Sequence, residues 1–195
     1  MNIECSYIRR VTTYFNKAGP QNTDETLKLA KERAKELNIK NIVVASVSGS
    51  TGVKASEIFK GFNVVIVSHF TGLREPGLQE LSEENRRKIE ANGAKILTCT
   101  HAFMNVERAI RDKFNTIYPI EIIAETLKIF GHGVKVAIEI TIMAMDAGLI
   151  PHTEDVIAIA GRRSGADTAL VIRPVNSTRF FDLIVKEIIA KPREW

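Results

Sequence analysis

The apolar run Ile42-Val43-Val44-Ala45-Ser46-Val47 breaks without transition into Ser48-Gly49-Ser50-Thr51-Gly52. A β-branched run of this kind reads as a buried strand, and the small residues that follow read as an anion-binding loop opening a helix. Glycine at 49 and 52 permits positive φ and close backbone approach, while Ser48, Ser50 and Thr51 add hydroxyls to the N–H groups at the helix start. A phosphate group is the ligand that suits such a loop, although serine- and glycine-rich turns also serve as plain connections. The triphosphate P-loop is disfavoured: it needs Gly, four residues and then Gly-Lys-Ser/Thr, which the placement of Gly49, Gly52 and Lys54 does not supply.

The surrounding chain alternates strand and helix. Asn22 followed by Glu25, then Leu27, Ala30, Ala34 and Leu37 at helical spacing, predicts a capped helix over 22–37. A short helix over 55–60 leads through Gly61 to a second buried strand, Val64-Val65-Ile66-Val67. Ser82 caps a third helix ending near Asn92-Gly93, and Lys95 to Thr98 is a third strand. Helical patterns fill most of 102–148, punctuated by Pro119 and Gly131-His132-Gly133. Two further strands, 156–160 and 169–172, are separated only by Gly161 to Thr168. A parallel crossover needs roughly a dozen residues or more, so these two, as neighbours, must be antiparallel. The expected fold is α/β with a mostly parallel sheet and one antiparallel edge strand. Segment 180–190 fits helix and strand patterns equally and is left unassigned.

A chain of 195 residues with 45% hydrophobic and 26% charged residues is expected to form one globular domain over 1–195. The longest apolar stretch, 134–150, is interrupted by Lys135, Glu139 and Asp146, and the start of the chain lacks a charged-then-apolar signal pattern. A membrane is therefore not expected, and a cytoplasmic location follows. Cys5 and Cys99 form no Cys-x-x-Cys pair, which argues against a disulfide framework and a structural zinc. The net charge of +4 is mild and its basic residues are dispersed, so nucleic acid is not an expected partner.

In open α/β sheets ligands bind beyond the carboxyl ends of the strands, where strand order reverses. Four strand ends here deliver polar or glycine-rich loops: Ser48 to Gly52; His69, Phe70, Thr71 and Gly72; Thr100 and His101; and Gly161, Arg162, Gly165, Ala166, Asp167 and Thr168. Their convergence would make a phosphate-ligand site. Each also has a plain reading. A histidine at a strand end is often a structural hydrogen-bonding group, and Arg162, Arg163 and Asp167 can simply be solvated loop charges. Cys99 and His101 share a strand face, but core packing suits Cys99 better than a metal.

Taken together, Val43 to Gly52, Ala144-Met145-Asp146-Ala147-Gly148-Leu149-Ile150 and Asp155 to Gly161 resemble the C-terminal domain of pyruvate kinase. The closer similarity is to small free-standing archaeal proteins of that fold, with Asn22-Thr23, Val44-Ala45-Ser46, His69 and Gly165 to Ala169 as matching marks. The resemblance implies a three-layer α/β/α sandwich, a five-stranded sheet of order 3-2-1-4-5 and an antiparallel fifth strand. In pyruvate kinase the corresponding loop holds a phosphate of a sugar-bisphosphate effector, and Ser48 to Gly52 stands in that place. The catalytic barrel is absent from this sequence, so pyruvate kinase activity is not expected. The free-standing relatives imply flavin mononucleotide (FMN), its phosphate on 48–52 and the remainder near His69, His101 and 165–168. A mononucleotide-binding protein is the first expectation. Alternatives are a flavin-dependent oxidoreductase and a regulatory module for a phosphorylated metabolite, with homo-oligomerisation possible in each.

Overall fold

The computed structural model describes residues 7–194; Cys5 lies outside them. Seven strands form one sheet in the order β1-β7-β6-β5-β2-β3-β4. The strands are β1 (Thr13–Phe15), β2 (Asn41–Ala45), β3 (Asn63–Ser68), β4 (Lys95–Thr98), β5 (Val156–Ala160), β6 (Thr168–Arg173) and β7 (Ile184–Pro192). The helices are α1 (Thr23–Glu36), α2 (Ser50–Ile58), α3 (Glu83–Ala91), α4 (Val106–Phe114), α5 (Pro119–Lys128) and α6 (His132–Asp146).

Alternation of side chains along each strand divides the core into two apolar layers. Ile42 and Val44 of β2 and Ile157 and Ile159 of β5 pack with Leu27, Ala30 and Ala34 of α1 and with Ala55 and Phe59 around α2. On the opposite face Val43, Val65 and Ala158 pack with Ala137, Ile140 and Ala144 of α6 and Ala124 of α5. Both faces of the central strands are thus sealed, which is why they carry continuous apolar runs and not alternation. This is the expected α/β/α sandwich, and the expected order 3-2-1-4-5 is present as β4-β3-β2-β5-β6. The eight-residue gap argument also holds: β5 and β6 pair antiparallel, Ala160 opposite Thr168.

The sheet is nevertheless larger than five strands. The unassigned tail resolves into a 3-10 segment, Ser177–Asp182, and then β7, which pairs antiparallel with β6 and parallel with β1. The reversed strand β6 is therefore interior and not an edge. Register shifts flank Leu170 and Val171 in the β6–β7 ladder, and such irregularities blur the two-residue period that would have marked a strand. An arginine clamp secures the added strand: Arg33 of α1 is buried and donates through Nε and Nη2 to the Glu187 carboxylate of β7 at 2.7 and 2.6 Å.

Two helix starts differ from expectation. Asn22 does not cap α1; its amide donates to the Lys17 carbonyl at 2.8 Å, and the chain enters α1 already wound in a 3-10 turn, Pro20–Asn22. The second helix begins at Ser50 and not at Ala55, so Ser50, Thr51 and Gly52 form the first turn of α2. Ser82 caps α3 as read, its Oγ accepting the Asn85 N–H at 3.2 Å. No helix among the described residues is long and apolar enough to cross a membrane.

Gly165 fixes the loop between β5 and β6. Its φ is +73°, and a Cβ there would collide with Pro20 Cα and with Thr23 Oγ1. Gly165→Ala is expected to destabilise the fold by ~2–5 kcal/mol, combining left-handed backbone strain of ~1–2 kcal/mol with overpacking of ~1–3 kcal/mol. Urea denaturation measures this; a loss below about 1 kcal/mol would show that the loop shifts freely away from Pro20.

Candidate functional site at the switch point of the sheet

From β2 the chain winds one way through β3 to β4, then returns through α4, α5 and α6 to place β5 on the other side of β2. The chain leaves β2 into α2 on one face, α6 covers the other face before β5, and a crevice lies beyond the carboxyl ends of β2 and β5. A cleft of about 830 Å³ opens there. Its walls come from Ser46, Ser48, Ser50 and Thr51 after β2, Ser68 and His69 at the end of β3, Gly161, Arg163 and Gly165 after β5, and the start of α6.

The α2 end of the cleft is built by backbone geometry. Gly49 is the N-cap with φ +94°, and a Cβ on it would press on Leu81 and Asn85 at 2.5 Å. The buried Ser46 hydroxyl accepts the Gly52 N–H at 2.9 Å, so one first-turn donor is satisfied internally. The Ser50 and Thr51 N–H groups have no partner among the described residues. They remain available with the positive end of the α2 dipole. Gly52 serves packing: a Cβ would lie 2.8 Å from Ile66 Cγ2 and 2.9 Å from Ile89 Cδ1.

At the β3 end, His69 Nδ1 lies 2.6 Å from Glu80 Oε2, and Arg74 Nε lies 3.0 Å from the other Glu80 oxygen. The His69 and His101 rings have centroids 5.3 Å apart and are tilted by 59°, and Phe70 meets His101 edge-on at 5.2 Å. Burial holds His101 below the ordinary histidine range, reinforced by His69 and Lys135 and opposed by Glu139. At neutral pH its imidazole is uncharged.

The third wall is basic. Arg108, Lys128, Lys135 and Arg163 line the cleft, joined by His132 at the first position of α6. Glu139 is buried there, one oxygen 2.6 Å from Lys135 Nζ and the other accepting the Phe103 N–H at 3.0 Å. Burial also holds His132 below its ordinary range, helped by Lys128, Lys135 and Arg162. The two carboxylates on the walls, Glu80 and Glu139, each face a cation, so the cleft as a whole favours an anion.

Of the residues singled out from sequence, Ser48, Ser50, Thr51, His69, His101, Gly161 and Gly165 line this cleft. Gly49 and Gly52 support it from behind, and Phe70 braces His101. Thr71 accepts a hydrogen bond from Gln79, and Gly72 donates its N–H to Leu78, so both organise the loop after β3. Thr100 is exposed away from the cleft, Arg162 gives its place on the wall to Arg163, and Ala166 and Thr168 are buried beneath it. Asp167 is also buried; it accepts the Gly19 N–H at 3.1 Å and the Thr168 hydroxyl at 2.9 Å. Among the described residues no group of three or more His, Cys, Asp or Glu is placed to hold a metal, and burial raises the Cys99 thiol above its usual range. Sequence reading missed Arg74, Glu80, Lys128, His132, Lys135 and Glu139. Lys135 and Glu139 carried a legible signal, being one helical turn apart within an apolar helix, where charges need a reason.

The arrangement is that of a doubly wound α/β domain with an open crevice at its switch point. The family model "Pyruvate kinase, alpha/beta domain" matches residues 24–172, and the chain belongs to that family. The match spans every element from α1 to most of β6 and leaves β1 and β7 outside it.

Burial raises the Asp167 carboxyl above the ordinary aspartate range, against the opposing hydrogen bonds from Thr168 and Gly19. The folded state therefore holds this proton more tightly than the unfolded chain, and stability falls as pH rises from the ordinary aspartate range through the raised value. Asp167→Asn, able to accept from Gly19 while donating to Thr168, should remove that fall. Urea denaturation between about pH 3.5 and 6 tests it; an unaltered profile would relieve Asp167 of the role.

Proposed function

We propose that this protein binds a phosphate-bearing small molecule in the switch-point cleft, and that a mononucleotide, FMN in particular, is its occupant. The observation that carries this is the pair of unpartnered N–H groups of Ser50 and Thr51 at the start of α2, facing a cleft lined by Arg163, Lys135 and Lys128. Donor and charge both match a phosphate. About 830 Å³ lies within the range of small-molecule sites. The tilted His69–His101 pair, backed by Phe70, offers a shelf for the remainder of the ligand. These residues fit the group: Ser50 and Thr51 would hold its phosphate and the shelf its ring, and a bound flavin would supply redox chemistry. Exposed Val106, Phe114, Ile117 and Ile122 on the α4–α5 layer support self-association. A cytoplasmic setting and kinship with free-standing archaeal domains belong to the same reading.

Two measurements test it. Visible absorption and fluorescence of the concentrated protein, then of the supernatant after denaturation, should reveal a released flavin. A colourless protein that takes up no added FMN would remove that ligand and leave a phosphorylated metabolite at the same loop. Separately, Arg163→Asn should weaken binding of the phosphate ligand by about 10-fold or more by deleting a cation of the cleft wall, while asparagine tolerates the left-handed backbone at that position (φ +64°). Affinity unchanged by that variant would mean that the phosphate sits elsewhere.

A further inference from the structure

The β3 side of the cleft holds an arrangement that ligand binding alone does not require. His69 Nδ1 is 2.6 Å from Glu80 Oε2, and Glu80, mostly buried, is held on its other oxygen by Arg74 Nε at 3.0 Å. A carboxylate only accepts, so Nδ1 carries the proton and donates it. The tautomer is thereby fixed, and the lone pair is left on Nε2, which has no partner among the described residues while His69 lines the cleft. A carboxylate-oriented imidazole with a free basic nitrogen in a ligand cleft is the arrangement of a general base. Beside it stands a second, uncharged imidazole, His101, whose ring nitrogens also have no partner among the described residues. A neutral N–H is a hydrogen-bond donor suited to an oxygen that gains charge during reaction.

We propose that the cleft catalyses proton transfer at carbon: His69, oriented by Glu80, removes a hydrogen next to the carbonyl of a phosphorylated hydroxy-carbonyl compound, while His101 donates a hydrogen bond to the carbonyl oxygen. The C–H bond breaks, its proton goes to His69 Nε2, and its electron pair forms the C=C bond of an enolate whose oxygen faces His101. Return of a proton from the imidazolium to the same carbon regenerates both the compound and the catalyst, so no oxidant or reductant is consumed. Glu80 is the positioning residue, fixing the tautomer and stabilising the imidazolium. This rests on the phosphate anchor at Ser50 and Thr51 proposed above, with a phosphorylated metabolite and not FMN as the occupant, since both would take the His69–His101 shelf.

The test is hydrogen exchange in D2O, followed by proton NMR, with dihydroxyacetone phosphate and unphosphorylated dihydroxyacetone as probes. The wild-type protein should exchange the carbon-bound hydrogens of the phosphate at least about 100-fold faster than His69→Asn, whose amide can still donate to Glu80 and preserve the loop. Added imidazole should restore part of the rate to His69→Gly. Nitrogen-15 NMR should show a single Nδ1–H tautomer for His69 in the wild type and a mixture in Glu80→Gln, with slower exchange in that variant. Wild-type exchange no faster than His69→Asn on either probe overturns the proposal. Exchange that depends on His69 but is as fast on dihydroxyacetone as on its phosphate upholds the base and refutes the anchor.

Discussion

One buried knot of hydrogen bonds and close packing fixes where the cleft's walls stand. Thr23 Oγ1 accepts the Ala166 N–H at 3.0 Å and donates to the Pro20 carbonyl at 2.7 Å, while Asp167 binds Gly19 N–H and the Thr168 hydroxyl. Gly133, at the second position of α6, fits only because it lacks a Cβ, which would overlap Thr168. The start of α1, the start of α6 and the loop after β5 are thereby held at one place. The Thr23, Asp167 and Thr168 side chains at its centre are buried, where a lost partner leaves the other unsatisfied at a cost of about 1–3 kcal/mol. Their geometry is consequently over-determined, which holds this side of the cleft in one place.

Against this rigid side stands a wall whose charges are paired so as to leave a net direction. Lys135 and Glu139 neutralise each other within α6, and Arg74, Glu80 and His69 form a chain along the loop after β3. What remains unbalanced among the lining residues is the α2 dipole with Arg108, Lys128 and Arg163. Low dielectric at the floor sharpens this asymmetry, and it also explains why two histidines, 101 and 132, are held neutral amid cations. Anion attraction and uncharged donors are compatible here because burial selects the protonation state while the helix end supplies the field.

Much of the architecture could be read from the chain because its causes are local. Continuous apolar runs at 42–45, 64–67 and 156–160 mark strands covered on both faces, and the short 161–168 connection forces the antiparallel pair. The tail was not legible, since the 3-10 segment and the register shifts of β7 mix two periodicities. The start of α2 was misplaced for a related reason: serine, threonine and glycine have weak helix propensity, and it is burial of Thr51 and Gly52 against β3 and α3 that draws them into the helix. In the cleft, the loop residues were visible because turn chemistry announces itself. Glu80, Lys128 and His132 were not, because they reach the cleft through tertiary folding of segments that carry no strand-end signature.

Strand β1 has its partner at the far end of the chain: Thr13 aligns with Ala190, Ala18 N–H donates to the Glu194 carbonyl, and Arg193 N–H donates to the Phe15 carbonyl. Such a pairing closes the longest loop available and is entropically the last to become worthwhile during folding. During synthesis β1 must wait unpaired while α1 to β6 already constitute a self-consistent sheet. The molecule is thus divided in time as well as in space, with the cleft belonging to the part that can assemble early and the β7–β1 edge closing over β6 as the final act.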